Sequence, residues 1–520
     1  MSEGVVFPVN PADGKRSSVY GGKQILADSV AQLDPKLAEA IRGEKDWRYQ
    51  YPGHFVASIQ ASLRSPAAAL QNARDGLAAV HRQFQFVRGG QALSLAEALG
   101  QTGQGFRTHV VRGQKPRQQG VLMPYNGRVL QGQEVVDQAQ AWADIGTVGP
   151  DVPSAVKRIL EAGDTLQDLS EEYFVLLGAS SEMGPLECLL NMGANVIAVD
   201  LPNRPKIWQA MVELAEGSAG TLTIPLRDTV STTDPAAVAA AAGCDLLTET
   251  PEIAKWLEGV HPGRQLCVGS YTYLDSDKFA RIAVAGDAIA AHLVDKRPGT
   301  TLAFLLSAAD AFVVPESAVA MATARMGKLW HSAVNTASLG KFLAPNQHLE
   351  VRSEAGETYH LCDGYATVQG PNYALAKRIQ QWRAMVARDA GVRTSINIAP
   401  ATFTMSVEHN NVTFAISRAV STFEPIEVFD KWTTKSIMTL MLIHDLKHPE
   451  AAGNPEVPLA TPLQLMAATA VDCGVWRAGV RLGTTGEVSV MIYSLNRLLQ
   501  KIGLPTPLAD RPPSIPLAKL

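Results

Sequence analysis

The run Tyr173-Phe-Val-Leu-Leu-Gly178-Ala-Ser-Ser-Glu182-Met-Gly184 constrains this chain more than any other stretch. A short apolar run ends in a glycine, five mostly small or polar residues follow, and a second glycine opens a helical pattern carrying Leu186, Leu189 and Leu190. Gly193 stops that pattern, and Asn195-Val-Ile-Ala-Val-Asp200 reads as a second buried strand ending on a carboxylate. Strand, glycine turn, helix, strand and acid is the layout of a dinucleotide-binding unit. Backbone amides at the helix start hold the pyrophosphate, and an acid about 20 residues on takes the ribose hydroxyls.

The rest of the chain has to supply the sheet. Beyond Asp200, Ile207 to Leu214 reads as helix, Thr221 to Pro225 as strand and Pro235 to Ala242 as helix, with Asp228 either reaching the adenine of a bound dinucleotide or standing as a solvated loop acid. Asp245-Leu-Leu-Thr248 reads as the next strand, while Glu252 to Leu257 and Arg264 to Tyr273 are ambiguous. Phe279 to Val294 is a long helix, and Thr300 to Ser307 is a buried strand ending in a hydroxyl. Strands and helices in alternation imply an α/β fold with a doubly wound parallel sheet, whose ligand lies at the carboxyl ends of the strands. A piece at about 315–365, with a hairpin turn at Glu354-Ala-Gly356-Glu, reads as an insertion. Tyr373 to Ala390 is then a helix closed by Gly391, and Thr394 to Pro400 the next strand.

Residues 1–165 read as a mainly helical N-terminal extension, with helices at Leu33 to Ile41, Val56 to Leu63, Pro66 to Val80 and Val156 to Ala162. Between them, Gln101 to Gly132 is rich in Gly and Gln and carries Arg107, Arg112, Lys115, Arg117 and Arg128. It is either a phosphate-recognising surface or a solvated basic loop. Residues 409–520 form a mixed C-terminal part, a cap over the site or a subunit contact, that ends in an exposed proline-rich tail. The net charge of −4 gives no reason to expect nucleic acid. The five scattered cysteines favour reduced thiols, and the N-terminus shows no signal sequence. The most apolar run, Ile437 to Ile443, is far short of the ~20 residues that span a bilayer. The final Ala518-Lys519-Leu520 matches the small-basic-leucine pattern read by the peroxisomal import receptor, so a peroxisomal location is expected, with the cytoplasm as the alternative.

Three motifs together resemble one family. Gly178-Ala-Ser-Ser-Glu-Met-Gly184 is similar to the Gly-Ala-Ser-Ser-Gly-Ile-Gly turn of short-chain dehydrogenases/reductases, and Tyr373-Ala-Leu-Ala-Lys377 fits that family's Tyr-x-x-x-Lys. Gly391-Val-Arg with Asn397-Ile-Ala-Pro400 resembles the stretch that closes the family's sheet. The motifs arrive in the family's order, over roughly 172–310 and 365–405. The resemblance implies a Rossmann-type fold and an NAD(P)-dependent carbonyl/alcohol oxidoreductase that takes a small-molecule substrate and works as a homo-oligomer; the peroxisomal location and the apolar C-terminal part suggest a lipid-derived or acyl substrate. It implies that Tyr373 passes a proton to or from the substrate oxygen, that Lys377 lowers the tyrosine pKa and holds the nicotinamide ribose, and that Ser307 polarises the carbonyl. Tyr and Lys four apart share one helix face. Carried over in the same way, Gly178, Ser180, Ser181, Met183, Gly184, Asp200, Arg204, Asp228, Lys377 and Pro400 would hold the cofactor. Asp200 favours NAD, and Arg204 would instead suit the phosphate of NADP.

The chain also departs from the family. Glu182 replaces the middle glycine, and its carboxylate must point outward to spare a pyrophosphate. Thr248-Glu-Thr-Pro251 stands for the usual Asn-Asn-Ala-Gly, and Ala283 for the helical asparagine. Ser307 lies 66 residues before Tyr373, so the insertion must loop out for the two to meet, or the hydroxyl role passes to Thr367. These departures support a second reading, a degenerate Rossmann protein that binds a nucleotide or serves as a scaffold without redox activity. His444 and His448 read as a helix-end cap, and no metal site is expected.

Overall fold

Apolar runs too short for helices become strands only where neighbours on both sides complete their hydrogen bonds, and here one seven-stranded sheet does so. The computed structural model describes residues 3–101, 105–227, 231, 234–366 and 368–516. Asp228, Thr367 and the tripeptide Ala518-Lys519-Leu520 lie outside the described residues.

In chain order the elements that matter here are helices α1 (Ser18–Val30), α2 (Trp47–Ser62) and α3 (Pro66–Gln83), then strand β1 (Arg107–Arg112). There follow β2 (Tyr173–Leu177), α4 (Leu186–Asn191), β3 (Asn195–Val199), β4 (Thr221–Leu226) and β5 (Leu266–Ser270). After them come α5 (Asp277–Lys296), β6 (Thr301–Ser307), α6 (Pro371–Asp389), β7 (Thr394–Ala399), α7 (Lys431–Lys447) and α8 (Gly486–Lys501). The sheet order is β7-β6-β5-β2-β3-β4-β1, parallel throughout except for β1, which runs antiparallel on the edge beside β4. The chain therefore winds out from β2 to β4 and then out from β5 to β7. Between β2 and β5 the order reverses, which is where a Rossmann-type α/β sheet opens its ligand crevice.

One expected strand is wrong. Asp245 to Thr248 is a turn leading into a helix at Thr250–Gly259. The Asp245 carboxylate takes the Leu247 N–H at 2.8 Å and the Glu249 carboxylate takes the Asp245 N–H at 2.7 Å, so these amides are spent locally and no ladder can form. The fourth parallel strand is β5, inside the stretch that the sequence left ambiguous, and all five of its residues are buried. Tyr271-Thr272-Tyr273, rather than Thr248-Glu-Thr-Pro251, therefore follows that strand.

Helices α5 and α6 cover one face of the sheet, and the N-terminal helices pack on them in turn. Gly76 of α3 is needed for that approach, because a Cβ there would meet the Trp382 ring at 2.6 Å. The Trp382 indole N–H donates to Asn72 Oδ1 at 3.0 Å, and buried Asp287 of α5 is held by Arg383 at 2.6 Å and His81 at 2.7 Å. On the other face lies α7, and the Ile437 to Ile443 run is core: Ile437 and Met441 are fully buried. Its Asp445 accepts from Ser395 Oγ at 2.8 Å and Asn397 Nδ2 at 2.7 Å, which satisfies two polar side chains inside β7.

The basic stretch between residues 101 and 132 forms the edge strand β1 and a hairpin of Leu122–Tyr125 with Arg128–Gln131. Two of its cations are paired, Arg117 with Asp164 at 2.7 Å and Arg128 with Glu134 at 3.1 Å. The piece at 315–365 does loop out. Ala311–Val314, Thr358–Asp363 and Leu349–Arg352 make a separate antiparallel sheet, which returns the chain to the start of α6. No helix among the described residues is long and apolar enough to cross a membrane.

Candidate functional site

The crevice starts where β2 and β5 end side by side. Gly178 follows β2 at φ +85°, and a Cβ on it would lie 3.1 Å from the Thr272 backbone, so a glycine is what allows the two chain segments to touch. Thr272 itself is buried, and its hydroxyl has no hydrogen-bond partner among the described residues. An unpartnered buried hydroxyl at a strand switch point is a free polar contact for a ligand. Sequence reasoning missed Thr272 because it placed the fourth strand some twenty residues too early.

The expected cofactor residues divide into several groups. Asp200 ends β3 and folds back on the turn: its Oδ2 takes the Ser180 N–H at 2.7 Å and its Oδ1 the Leu201 N–H at 2.8 Å. Each carboxylate oxygen keeps a further lone pair that can accept from a hydroxyl. Ser181 and Gly184 close a turn through the Gly184 N–H to the Ser181 carbonyl at 3.0 Å. Met183 faces a water-sized cavity of about 10 Å³ with Tyr271 and Lys435. Arg204 is exposed at the start of the next helix, and Pro400 is buried just past β7.

Glu182 does turn away from the glycine turn. Its Oε2 accepts from the Met405 N–H at 2.8 Å, and its Oε1 lies 3.3 Å from Lys431 Nζ at the start of α7. The carboxylate is thus neutralised by the C-terminal part of the chain, and the first turn of the sheet is tied to that part.

The structure brings Tyr373, Ser307 and Lys377 together. The Ser307 hydroxyl, at the end of β6, lies near the Tyr373 phenol at the start of α6 and acts to lower its pKa. Burial nonetheless pushes that phenol well above its usual pKa, and the nearby Ser307 hydroxyl opposes this only in part. Lys377, one turn on, sends its amine to the Leu305 carbonyl at 2.6 Å and to Gln380 Oε1 at 3.5 Å. Its Nζ also sits 5.2 Å from the Phe279 ring centre and 5.7 Å from that of Tyr373. Gln380 in turn donates to Ser270 Oγ at 3.2 Å, which connects the lysine to the end of β5. Ala283, expected at the place of a helical asparagine, is buried in α5, and Gln380 on α6 is the side-chain amide that reaches the lysine. Spacing could have found it, since residues three apart on a helix share a face.

Burial lowers the Lys377 pKa from 10.5 to about 8, with Asp310 acting weakly the other way. A depressed lysine value means that the unfolded chain binds the proton more tightly than the folded one. Stability should therefore rise as pH climbs from about 8 towards 10.5, and any step that needs the ammonium should fade as pH passes about 8. Denaturation midpoints across that range check this, because Lys377→Met should lack that part of the rise.

Among the described residues no group of three or more His, Cys, Asp or Glu side chains could hold a metal ion. The His444 and His448 rings stack at 5.0 Å at the end of α7.

No family model matches the chain, and no curated protein matches it. A solved structure to which it is similar is that of FabMG in its apo form, described as a novel type of enoyl-acyl carrier protein reductase. Identity is 10%, the TM-score is 0.23, and the match covers 63% of this chain and 87% of that one. The neighbour is an oxidoreductase, but the likeness is too weak to argue from. The α/β fold of this chain rests on its own strand order.

Proposed function

We propose that the protein is an NAD(P)-dependent oxidoreductase interconverting a carbonyl and an alcohol. The observation that carries this is the meeting of Ser307 with Tyr373 and Lys377, brought together across the looped-out insertion at the carboxyl end of the sheet. The residues at the crevice suit a dinucleotide: a close-approach glycine at Gly178, an unpartnered Thr272 hydroxyl, and an Asp200 carboxylate with acceptor capacity to spare. The nicotinamide supplies or accepts the hydride when the cofactor is bound. Tyr373 delivers or takes the proton at the substrate oxygen, and Ser307 orients the phenol and polarises the carbonyl. Lys377 holds positive charge behind the tyrosine ring and favours the phenolate as it forms. Asp200 makes NAD the preferred cofactor.

Fluorescence titration of the full chain with NADH and NADPH tests this reading. Binding of at least one is expected, with NADH the tighter, and binding of neither sinks it. Thr272→Val should weaken the binding by roughly two- to tenfold, the worth of one hydrogen bond.

The opposing reading, a degenerate Rossmann protein that binds a nucleotide or serves as a scaffold without redox activity, draws on Glu182. Its contacts to Met405 and Lys431 already occupy an amide and a cation beside the turn. Silence in the same titration favours its scaffold form.

Peroxisomal import through Ala518-Lys519-Leu520 belongs to the proposal as well. Deleting the three residues should leave a fluorescently tagged chain in the cytosol, and an unchanged punctate pattern would remove the motif from the account.

A further inference from the structure

A cavity of about 290 Å³ opens beside Tyr373, and two distant parts of the chain build its wall. Phe279, Asn372 and Tyr373 come from the helices on the sheet, while Ser18, Trp47 and Arg48 come from the N-terminal helices α1 and α2. Arg48 is the one ionised side chain on that wall among the described residues, and no Asp or Glu lines it. Its guanidinium lies against the start of α6, since a Cβ on Gly370 would come within 3.4 Å of Arg48 Nη1. Tyr373 follows three residues later, so the cation and the phenol share one small space.

A guanidinium pairs with a carboxylate through two parallel hydrogen bonds, a planar fork that fixes the orientation of the acid. We propose that Arg48 holds the carboxylate of a small oxo or hydroxy acid whose reacting carbon faces Tyr373. The N-terminal helices would then be the part of the chain that selects the substrate. This rests on the reading of Tyr373 as the proton-transfer residue, but the binding can be measured without dinucleotide.

Calorimetric titration of the full chain with phenylglyoxylate and acetoacetate, each against its methyl ester, gives the test. At least one acid should bind at least tenfold more tightly than its ester. Arg48→Gln should bring that acid down to the level of the ester and leave the ester unchanged, whereas Tyr373→Phe should keep acid binding. Esters that bind as well as the acids, acids that do not bind, or an Arg48→Gln protein that binds like the parent would each overturn the proposal. Failure here with NADH binding intact leaves the oxidoreductase reading standing; acid binding without dinucleotide binding does the reverse.

A separate surface lies on α8. Met491, Leu495, Leu498 and Ile502 are 55%, 51%, 56% and 59% exposed, and they follow one another at intervals of four, three and four residues. That is the seam spacing of a two-helix coiled coil. Another side of α8, carrying buried Val488, Ser489 and Asn496, faces the protein, and α8 packs on the helix Asn411–Ala419. Glu487 and Lys501, both exposed, flank the two ends of the seam. If a second copy of α8 runs antiparallel with Leu495 near the centre, Met491 of each copy meets Leu498 of the other. Glu487 of each then falls opposite Lys501 of the other, twice by symmetry.

We infer that two copies of this chain dimerise through α8 in that register. Sedimentation equilibrium of the full chain should show a dimer, and Leu495→Glu should give a monomer with an unchanged circular dichroism spectrum. Glu487→Lys alone should weaken the dimer at least several-fold, and adding Lys501→Glu should restore it. A monomeric parent, or a Leu495→Glu protein that stays dimeric, would overturn the inference; a double swap that restores nothing would overturn the register.

Discussion

A Tyr373→Phe protein is expected to bind dinucleotide like the parent and to turn over about 10²- to 10⁴-fold more slowly, the usual worth of a positioned proton donor. The change removes one hydroxyl and leaves the ring among Phe279 and Tyr273, whose centres lie 5.2 and 6.3 Å away. The Ser307 hydroxyl keeps the Ala309 N–H at 3.2 Å, so the stability cost should stay near 1 kcal/mol. The two effects can be told apart. Ser307→Ala should slow turnover less, because the phenol remains. Single-turnover oxidation of bound NADH by a carbonyl that the parent reduces gives the rate, and retained turnover in Tyr373→Phe would take this residue out of the mechanism.

Asp310→Ala should have the largest effect on stability. Asp310 and Arg378 are 3% and 4% exposed and meet at 3.1 Å, and the same carboxylate takes the Gln381 side chain at 2.8 Å and the Ala311 N–H at 2.7 Å. Removing it leaves a guanidinium buried without its counter-charge, a loss of about 3–5 kcal/mol. Against a total stability of about 5–15 kcal/mol, that decides whether the chain stays folded at moderate temperature. The cost is in the orphaned charge rather than in the pair. Replacing both partners, Asp310→Leu with Arg378→Met, should recover most of the loss. Urea midpoints for the single and double variants check this, and a double variant as unstable as the single one would count against it. Because α6 carries both Arg378 and Tyr373, a partly unfolded Asp310→Ala protein should lose activity in step with structure.

How much of this was legible in the sequence varied with what held each element in place. The β2 to β3 unit, β6 and β7 were legible because their apolar runs are continuous and their turn residues local. The meeting of Ser307 with Tyr373 was foreseeable only as a condition on the insertion, and the separate sheet at 311–363 is what meets it. Strand β5 was obscured by its composition: Leu266-Cys-Val-Gly-Ser270 has a single β-branched residue, and it becomes a strand because β2 and β6 bond it from both sides. Asp245-Leu-Leu-Thr248 looked apolar enough, but side-chain carboxylates took its amides. Helix α1 escaped notice because Gly21 and Gly22 lower its intrinsic propensity, which packing against α3 overrides. The Arg48 cavity wall could not be read from spacing at all, since it joins residues more than 300 apart in sequence.

That distance also sets the order in which the chain can mature. Asn72 and Trp382 are 310 residues apart, and His81 and Asp287 are 206 apart. At about 5–20 residues per second, a ribosome needs roughly 15–60 s to make the chain between the first pair. Throughout that interval the faces of α3 that will meet α6 have nothing to close on, and β1 waits in the same way for β4. The nascent N-terminal helices are then the segment most exposed to aggregation or to capture by a chaperone, and their burial marks the last stage of assembly rather than the first.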